Sequence, residues 1–374
     1  MGKEKILALA ENPILAGIQN DLVRTADMLQ YILSEKEEYV LNAKSRPLAL
    51  ANELRDNLAG SYEFTMTIDG EEKKLTEEEV RTYRQHEERS VRKEAYDSLR
   101  RTYGTKQNQI TLGNIYTSIL KNWSSEIQIR GYKNILAQRN IGEQLDDAVV
   151  QTLLQEVSSA YPLYHRYLKK KASLLGINDF SIWDVNAPVG KMNTNYNFDE
   201  AFDLHLSVMK DFDDEFYEYS LAMRNEGRID AFPRMGKQSG AFASYRKDAE
   251  SFVLLNFNGK LRDVSIVSHE LGHAIHGHLS QAQEGAVYDS ALSLAETASI
   301  FSEMLLGAKI KTLISQEEYE AYLDERLSDI FATIFRQVQY VLFEQDVHTR
   351  IYDGGELTYK ELNLLYREHQ KNLY

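Results

Sequence analysis

The sequence predicts a mainly α fold with one small β-sheet immediately ahead of its most distinctive helix. Three observations carry that prediction. Apolar residues recur at helical spacing through most of the 374 residues, punctuated by capping residues and by Gly and Pro stops. Runs that read as strands, bounded by turn residues, occur in two places only, near 62–75 and 241–257. Finally, Ser268–His276 carries His269, Glu270 and His273 in the order His-Glu-x-x-His, flanked by apolar Ile266, Val267, Leu271, Ala274 and Ile275.

The elements follow in order. Residues from about 4 to 60 read as helices broken near Pro13 and Pro47 and stopped at Gly60. Tyr62–Ile68 alternates with period two and meets Asp69-Gly70, a hairpin signal. Thr76 and Glu79 form a capping box that opens one long helix to about Tyr103, ended by Gly104. Helices are expected over 110–138, interrupted at Arg130-Gly131-Tyr132, over 145–175, and over 198–226. The irregular stretch 184–197 reads as a boundary between two lobes, with residues 1–75 an N-terminal helical segment with a hairpin and 76–374 the main region. After the loop 233–240, Ala241–Tyr245 and Ser251–Phe257 read as short strands, the second buried on both faces. Asn258-Gly259 is a turn, and Asp263 is the expected N-cap of the histidine helix.

Composition narrows the function. A hydrophobic content of 43% with 27% charged residues suits a globular chain long enough to bury a large core. A net charge of −14 argues against a nucleic-acid partner, which needs a basic face. No apolar run approaches the length of a membrane span. There is no cysteine, hence no disulfide, thiolate ligand or cysteine nucleophile. The opening residues hold no apolar signal core, and Ile6 stands where a myristoylation signal wants Ser or Thr. A cytoplasmic protein is the expectation.

His269 and His273 lie one turn apart on one helix face, a spacing that lets two imidazoles reach one metal ion. Such helices bind zinc through both histidines and use the intervening Glu as general base. An exposed polar turn is the alternative, and the interleaved apolar residues oppose it. Catalytic zinc takes a third protein ligand and keeps one position open. His276 and His278 are nearest in sequence. His276 shares the face of His269, but two turns separate their backbones by ~10 Å, so lining the site or supporting a ligand suits it better. The better third ligand lies in Ala291–Glu303, expected to be a mostly small and apolar, buried helix that sets Glu296 and Glu303 two turns apart on one face. Glu296 would complete a His₂Glu set. Glu303 either orients a ligating imidazole or is an exposed helix charge. The strands before the helix either pair with an extended peptide or simply pack.

With these pieces assembled, the sequence resembles the M3 metallopeptidases, specifically the oligoendopeptidase F branch. The resemblance rests on Arg234-Met235-Gly236-Lys237, Gly240-Ala241-Phe242, Leu254–Gly259, Asp263-Val264, His269–His276, Ala295–Ser299, Phe335-Arg336-Gln337, Phe343-Glu344 and Ile129–Tyr132. It implies a two-lobed helical zincin-type fold with zinc deep in a channel that admits short peptides. It also implies His269, His273 and Glu296 as ligands, Glu270 as the catalytic carboxylate, and Gly240, Ala241 and Phe242 as a strand holding substrate backbone. Relative to the family the chain reads as shortened at both ends. The segment beyond Tyr374, with a His and several Tyr that serve the oxyanion, has no counterpart, so slow turnover and self-association are expected. One zinc per chain and hydrolysis of internal peptide bonds form the leading expectation. A metallocarboxypeptidase and a zinc- and peptide-binding protein without catalysis are the rivals.

Overall fold

A computed structural model describes residues 2–190, 194–234, 237–238, 240–283 and 287–374. Met235, Gly236 and Ser239 of the expected loop, and 191–193 of the expected boundary, lie outside them. The chain divides into two units, one made of Met1–Gln30, Gly142–Gln144 and Lys191–Tyr319, the other of Tyr31–Ile141, Leu145–Gly190 and Glu320–Tyr374.

In the second of these units, helix Glu35–Ser61 opens on a Ser34–Glu37 capping box. It continues through position 47, so the break expected near Pro47 does not occur. An interior proline removes one donor and need not end a helix that other contacts hold. Strands Phe64–Ile68 and Glu71–Leu75 form the hairpin, with Ile68 opposite Glu71. Asp69 and Gly70 supply the positive φ angles (55° and 81°) that a two-residue turn of this hand requires. Phe64, Met66 and Ile68 face inward against Val80, Val91 and Ala95. The single helix expected to Tyr103 is two, Glu77–Thr82 and Arg89–Tyr103. The capping box that Thr76 and Glu79 form opens the first of them. Buried Arg92 explains the break. Its Nη1 donates to the carbonyls of His86 (2.9 Å) and Glu87 (2.8 Å), and its Nη2 donates to Asp184 Oδ1 (3.0 Å). Carbonyls satisfied by a guanidinium no longer need a continuing helix. The 145–175 expectation splits likewise, at Ala160, into Asp147–Ser159 and Tyr161–Leu174, with Pro162 in the first turn of the latter.

In the other unit, the helix expected over 198–226 is α1 (Phe198–Phe212) and α2 (Asp214–Asn225). Asp213 between them is extended and accepts from the amides of Glu215 and Phe216, so a local cap ends one helix and starts the next. The sheet contains three strands, β1 (Ile229–Asp230), β2 (Phe242–Ser244) and β3 (Phe252–Leu254). β3 is central, parallel to β1 and antiparallel to β2. β1 has no counterpart in the sequence reading, because two residues show no periodicity. Val253 is buried but Phe252 is 56% exposed, so β3 buries one face rather than two. β2 lies at the edge of this sheet.

The histidine helix is α3 (Leu261–Leu279). Its N-cap position is Lys260, not Asp263. Asp263 reaches back from the first turn, its Oδ2 accepting from the amides of Asn258 (2.9 Å) and Lys260 (3.0 Å). α4 (Leu292–Ala295) and α5 (Thr297–Ile310) follow. α5 packs closely on α3 because residue 272 is glycine. A Cβ there would stand 2.8 Å from Ser299 Cα and 2.9 Å from both the Ala298 carbonyl oxygen and Ser302 Cβ.

Candidate metal centre

Three side chains from two segments converge. His269 Nε2 lies 3.2 Å from Glu296 Oε2, and His273 Nε2 lies 3.3 Å from the same oxygen. Among the described residues His269, His273 and Glu296 form the group whose ligand atoms all fall within 4.8 Å of one another. Ligand atoms around a tetrahedral ion with bonds near 2.1 Å stand about 3.4 Å apart. The two nitrogen–oxygen separations match that value. The imidazoles stand at 81° to each other with ring centroids 4.9 Å apart, so the edges that present Nε2 converge instead of stacking.

Neighbouring groups hold these donors in place. His269 Nδ1 donates to Glu303 Oε1 at 2.5 Å, which leaves Nε2 with its lone pair free for a cation. Glu303 is thus no exposed helix charge: its side chain is 12% exposed and aimed at a candidate ligand. Ser299, fully buried, lies 2.9 Å from Glu296 Oε2 and donates to that carboxylate or to the Glu296 carbonyl. The Ala291–Glu303 stretch is not the buried helix expected. It breaks at Glu296, between α4 and α5, and the Glu296 side chain is 60% exposed.

Glu270 is buried beside this cluster. Burial raises its pKa above the ordinary carboxylate range, and the charges of Glu296 and Glu303 act the same way. The His269 ring and the Ala243 main-chain N–H partly offset them. Burial lowers the His273 pKa, with Glu296 opposing, which favours the neutral ring that a metal requires. For His269 burial lowers the pKa, but the hydrogen bond to Glu303 and its charge outweigh it, and the net direction is upward.

His276 is outside the donor group. It lines a cavity of about 150 Å³ with Met209, Phe212, Ile275 and Phe301, and its ring lies 6.5 Å from Tyr245. His278 stacks on Tyr219 with ring centroids 4.0 Å apart. Gly240 has a positive φ (83°), and its carbonyl accepts from Asn256 Nδ2 at 2.7 Å. Ala241 is half-buried, and Phe242 is 39% exposed on edge strand β2. The sequence reading gave no role to Ser299, beside Glu296, or to His205, whose Nδ1 lies 3.1 Å from Ser268 Oγ on α3. A serine three positions after a ligand carboxylate carries no distinctive pattern, whereas a histidine between Leu204 and Leu206 in an apolar helix is a detectable one.

Known proteins decide the family. The sequence profile of Peptidase family M3 matches residues 82–374. This chain belongs to peptidase family M3. It is 29% identical over 349 residues to group B oligopeptidase PepB of Streptococcus agalactiae, covering 92% of this chain and 58% of that protein. It is 31% identical over 324 residues to the chromosomal oligoendopeptidase F of Lactococcus lactis, covering 86% and 54%. The M3 chain thus spans between half and two thirds of the length of these relatives. A crystal structure of a Chlamydophila abortus protein superposes with a TM-score of 0.90 at 26% identity, covering all of this chain and 63% of that one. Oligoendopeptidase F of Enterococcus faecium shares the fold, with a TM-score of 0.74 at 20% identity over 100% of this chain and 62% of that one. No helix among the described residues is long and apolar enough to cross a membrane.

Proposed function

We propose that this M3 chain is a zinc-dependent endopeptidase acting on short peptides. The observation that carries the reading is the convergence of His269 Nε2, His273 Nε2 and Glu296 Oε2 with a buried carboxylate, Glu270, next to the first of them. Two imidazoles and one carboxylate form a donor set that suits zinc. Held by these three residues, zinc would supply Lewis acidity and a water of lowered pKa.

Glu270 has the position and the raised basicity for the proton work. As water adds to the scissile carbonyl carbon, the Glu270 carboxylate takes the water's proton. As the carbon–nitrogen bond breaks, it gives that proton to the leaving amine. Glu303 keeps the Nδ1 hydrogen of His269 in place throughout. Gly240, Ala241 and Phe242, leading into edge strand β2, are positioned for an extended peptide to add its main chain alongside, which suits a substrate read by backbone more than by side chain.

The test combines metal analysis with cleavage of an internally quenched peptide blocked at both ends. One zinc per chain, chelator-sensitive cleavage, and loss of both in Glu296→Ala are expected. Full zinc occupancy in Glu296→Ala would remove Glu296 from the ligand set. Cleavage of unblocked peptides alone would favour a carboxypeptidase, and zinc binding without cleavage of either would favour a binding protein.

A further inference from the structure

Behind the histidine helix runs a row of buried polar side chains to which the proposed reaction assigns no part. His205 on α1, Ser220 on α2 and Ser268 on α3 are fully buried, and Ser302 on α5 is 3% exposed. His205 Nδ1 lies 3.1 Å from Ser268 Oγ, and its Nε2 lies 3.1 Å from Ser220 Oγ. Ser268 Oγ is also 2.9 Å from Ser302 Oγ.

The direction of every hydrogen follows from one end. Ser220 Oγ donates to the Phe216 carbonyl at 2.8 Å, which uses its only hydrogen. It must therefore accept from His205 Nε2–H. Complete burial lowers the His205 pKa to about 3, so the ring is neutral and Nε2 carries its single hydrogen. Nδ1 is then an acceptor, and the Ser268 hydroxyl donates to it. With that hydrogen committed, Ser268 Oγ accepts from Ser302. The longer approach of Ser268 Oγ to the Ser302 carbonyl, 3.3 Å, would leave Nδ1 unpaired. The row thus runs one way from Ser302 through Ser268, His205 and Ser220 to the Phe216 carbonyl, with a hydrogen for each contact. A buried polar group left without its partner is costly, so the row tolerates little slippage.

Its position relates it to the metal centre. Ser268 and Ser302 immediately precede His269 and Glu303, whose side chains make the next polar contact between α3 and α5. Two consecutive rungs thus cross one helix pair, at the close approach that Gly272 permits. The first rung is tied through His205 to α1 and α2.

We propose that His205 is a positioning residue for the metal centre. It fixes the rotation of α3 and its offset against α5, so that His269 presents Nε2 towards Glu296 while Glu303 holds Nδ1. The inference rests on the metal-binding reading above. Apolar packing constrains α3 by shape, and the hydrogen-bonded row adds the directional constraint that individual dispersion contacts lack.

The experiment measures zinc affinity by chelator competition, together with the visible spectrum of the Co²⁺-substituted protein, on variants verified as folded by circular dichroism. His205→Phe keeps the ring volume and removes both nitrogens. His205→Gln retains a donor and an acceptor. Met223→Ala, a core truncation on α2, controls for lost stability. His205→Phe should weaken zinc binding by about 10–100-fold, the usual effect of losing a group that orients a ligand, and should alter the Co²⁺ spectrum. His205→Gln should recover most of the affinity, and Met223→Ala should leave it near the wild-type value. If His205→Phe fails to fold, Ser268→Ala carries the same expectation. Wild-type zinc affinity and Co²⁺ spectrum in the folded His205→Phe or Ser268→Ala variant would overturn the proposal, as would an equal loss in Met223→Ala. Failure of the wild-type protein to bind zinc would overturn the metal reading along with it.

Discussion

Two polar clusters, one in each unit, differ in how their groups are arranged. In the Tyr31–Tyr374 unit, Lys171 is 2% exposed and sets Nζ 2.8 Å from Asp324 Oδ2, while Tyr167 OH lies 2.8 Å from Asp324 Oδ1 and 2.6 Å from Ser328 Oγ. One cation, one anion and two hydroxyls satisfy each other, so that cluster is closed. Around α3 the donors converge instead, and in that sense the cluster is open. Glu270, Glu296 and Glu303 crowd two imidazoles, and Nε2 of His269 and of His273 approach Glu296 Oε2 at 3.2 and 3.3 Å. A closed cluster holds helices together. An open one, whose donor atoms converge on a single spot, suits a cation.

That contrast makes four predictions, from the largest effect to the smallest. Glu270→Gln should lower the cleavage rate of a quenched peptide by about 10²–10⁴-fold while zinc content and melting temperature hold, because it removes the base and no ligand. Turnover near the wild-type rate would break the proposed mechanism. In the closed cluster the effect falls on stability. Lys171→Met leaves Asp324 buried without its cation and should cost ~3–5 kcal/mol in urea denaturation, with zinc affinity unchanged. Adding Asp324→Leu should recover much of that loss, and no recovery would show that the pair is not self-contained.

The third prediction concerns the bond joining α5 to the open cluster. Glu303→Gln should weaken zinc binding by about 10–100-fold in a competition titration, with a smaller effect on folding stability. Equal losses in both measurements would make Glu303 a structural residue. The fourth uses pH. Burial lowers the His205 pKa from 6.5 to about 3, so between those values the unfolded chain binds a proton that the folded chain refuses. Stability from this group is therefore complete above about pH 6.5 and falls with pH through that window, by up to ~1.4 kcal/mol per unit. Urea melts at pH 7, 6 and 5 should show His205→Phe losing that slope.

Local spacing determined a good deal. The four-residue step from His269 to His273 places both rings on one helix face wherever the helix lies, Asp69-Gly70 closes a hairpin by its own φ angles, and Thr76 with Glu79 starts a helix without outside help. All of these depend on contacts within a few residues, and periodicity and turn chemistry report such contacts. The breaks at 86–88 and 160 and the exposure of Phe252 could not be read this way, and Asp213 was read as helix although its own side chain makes the cap. Arg92 reaches Asp184 across 92 positions, and no local pattern records such a contact. The same holds at the metal centre. That Glu296 Oε2 lies 3.2–3.3 Å from both imidazoles and that Glu303 faces His269 depends on how closely α5 approaches α3. The absence of a side chain at Gly272 allows that approach. The sequence contains the glycine, but only packing two helices together reveals what its missing Cβ makes room for.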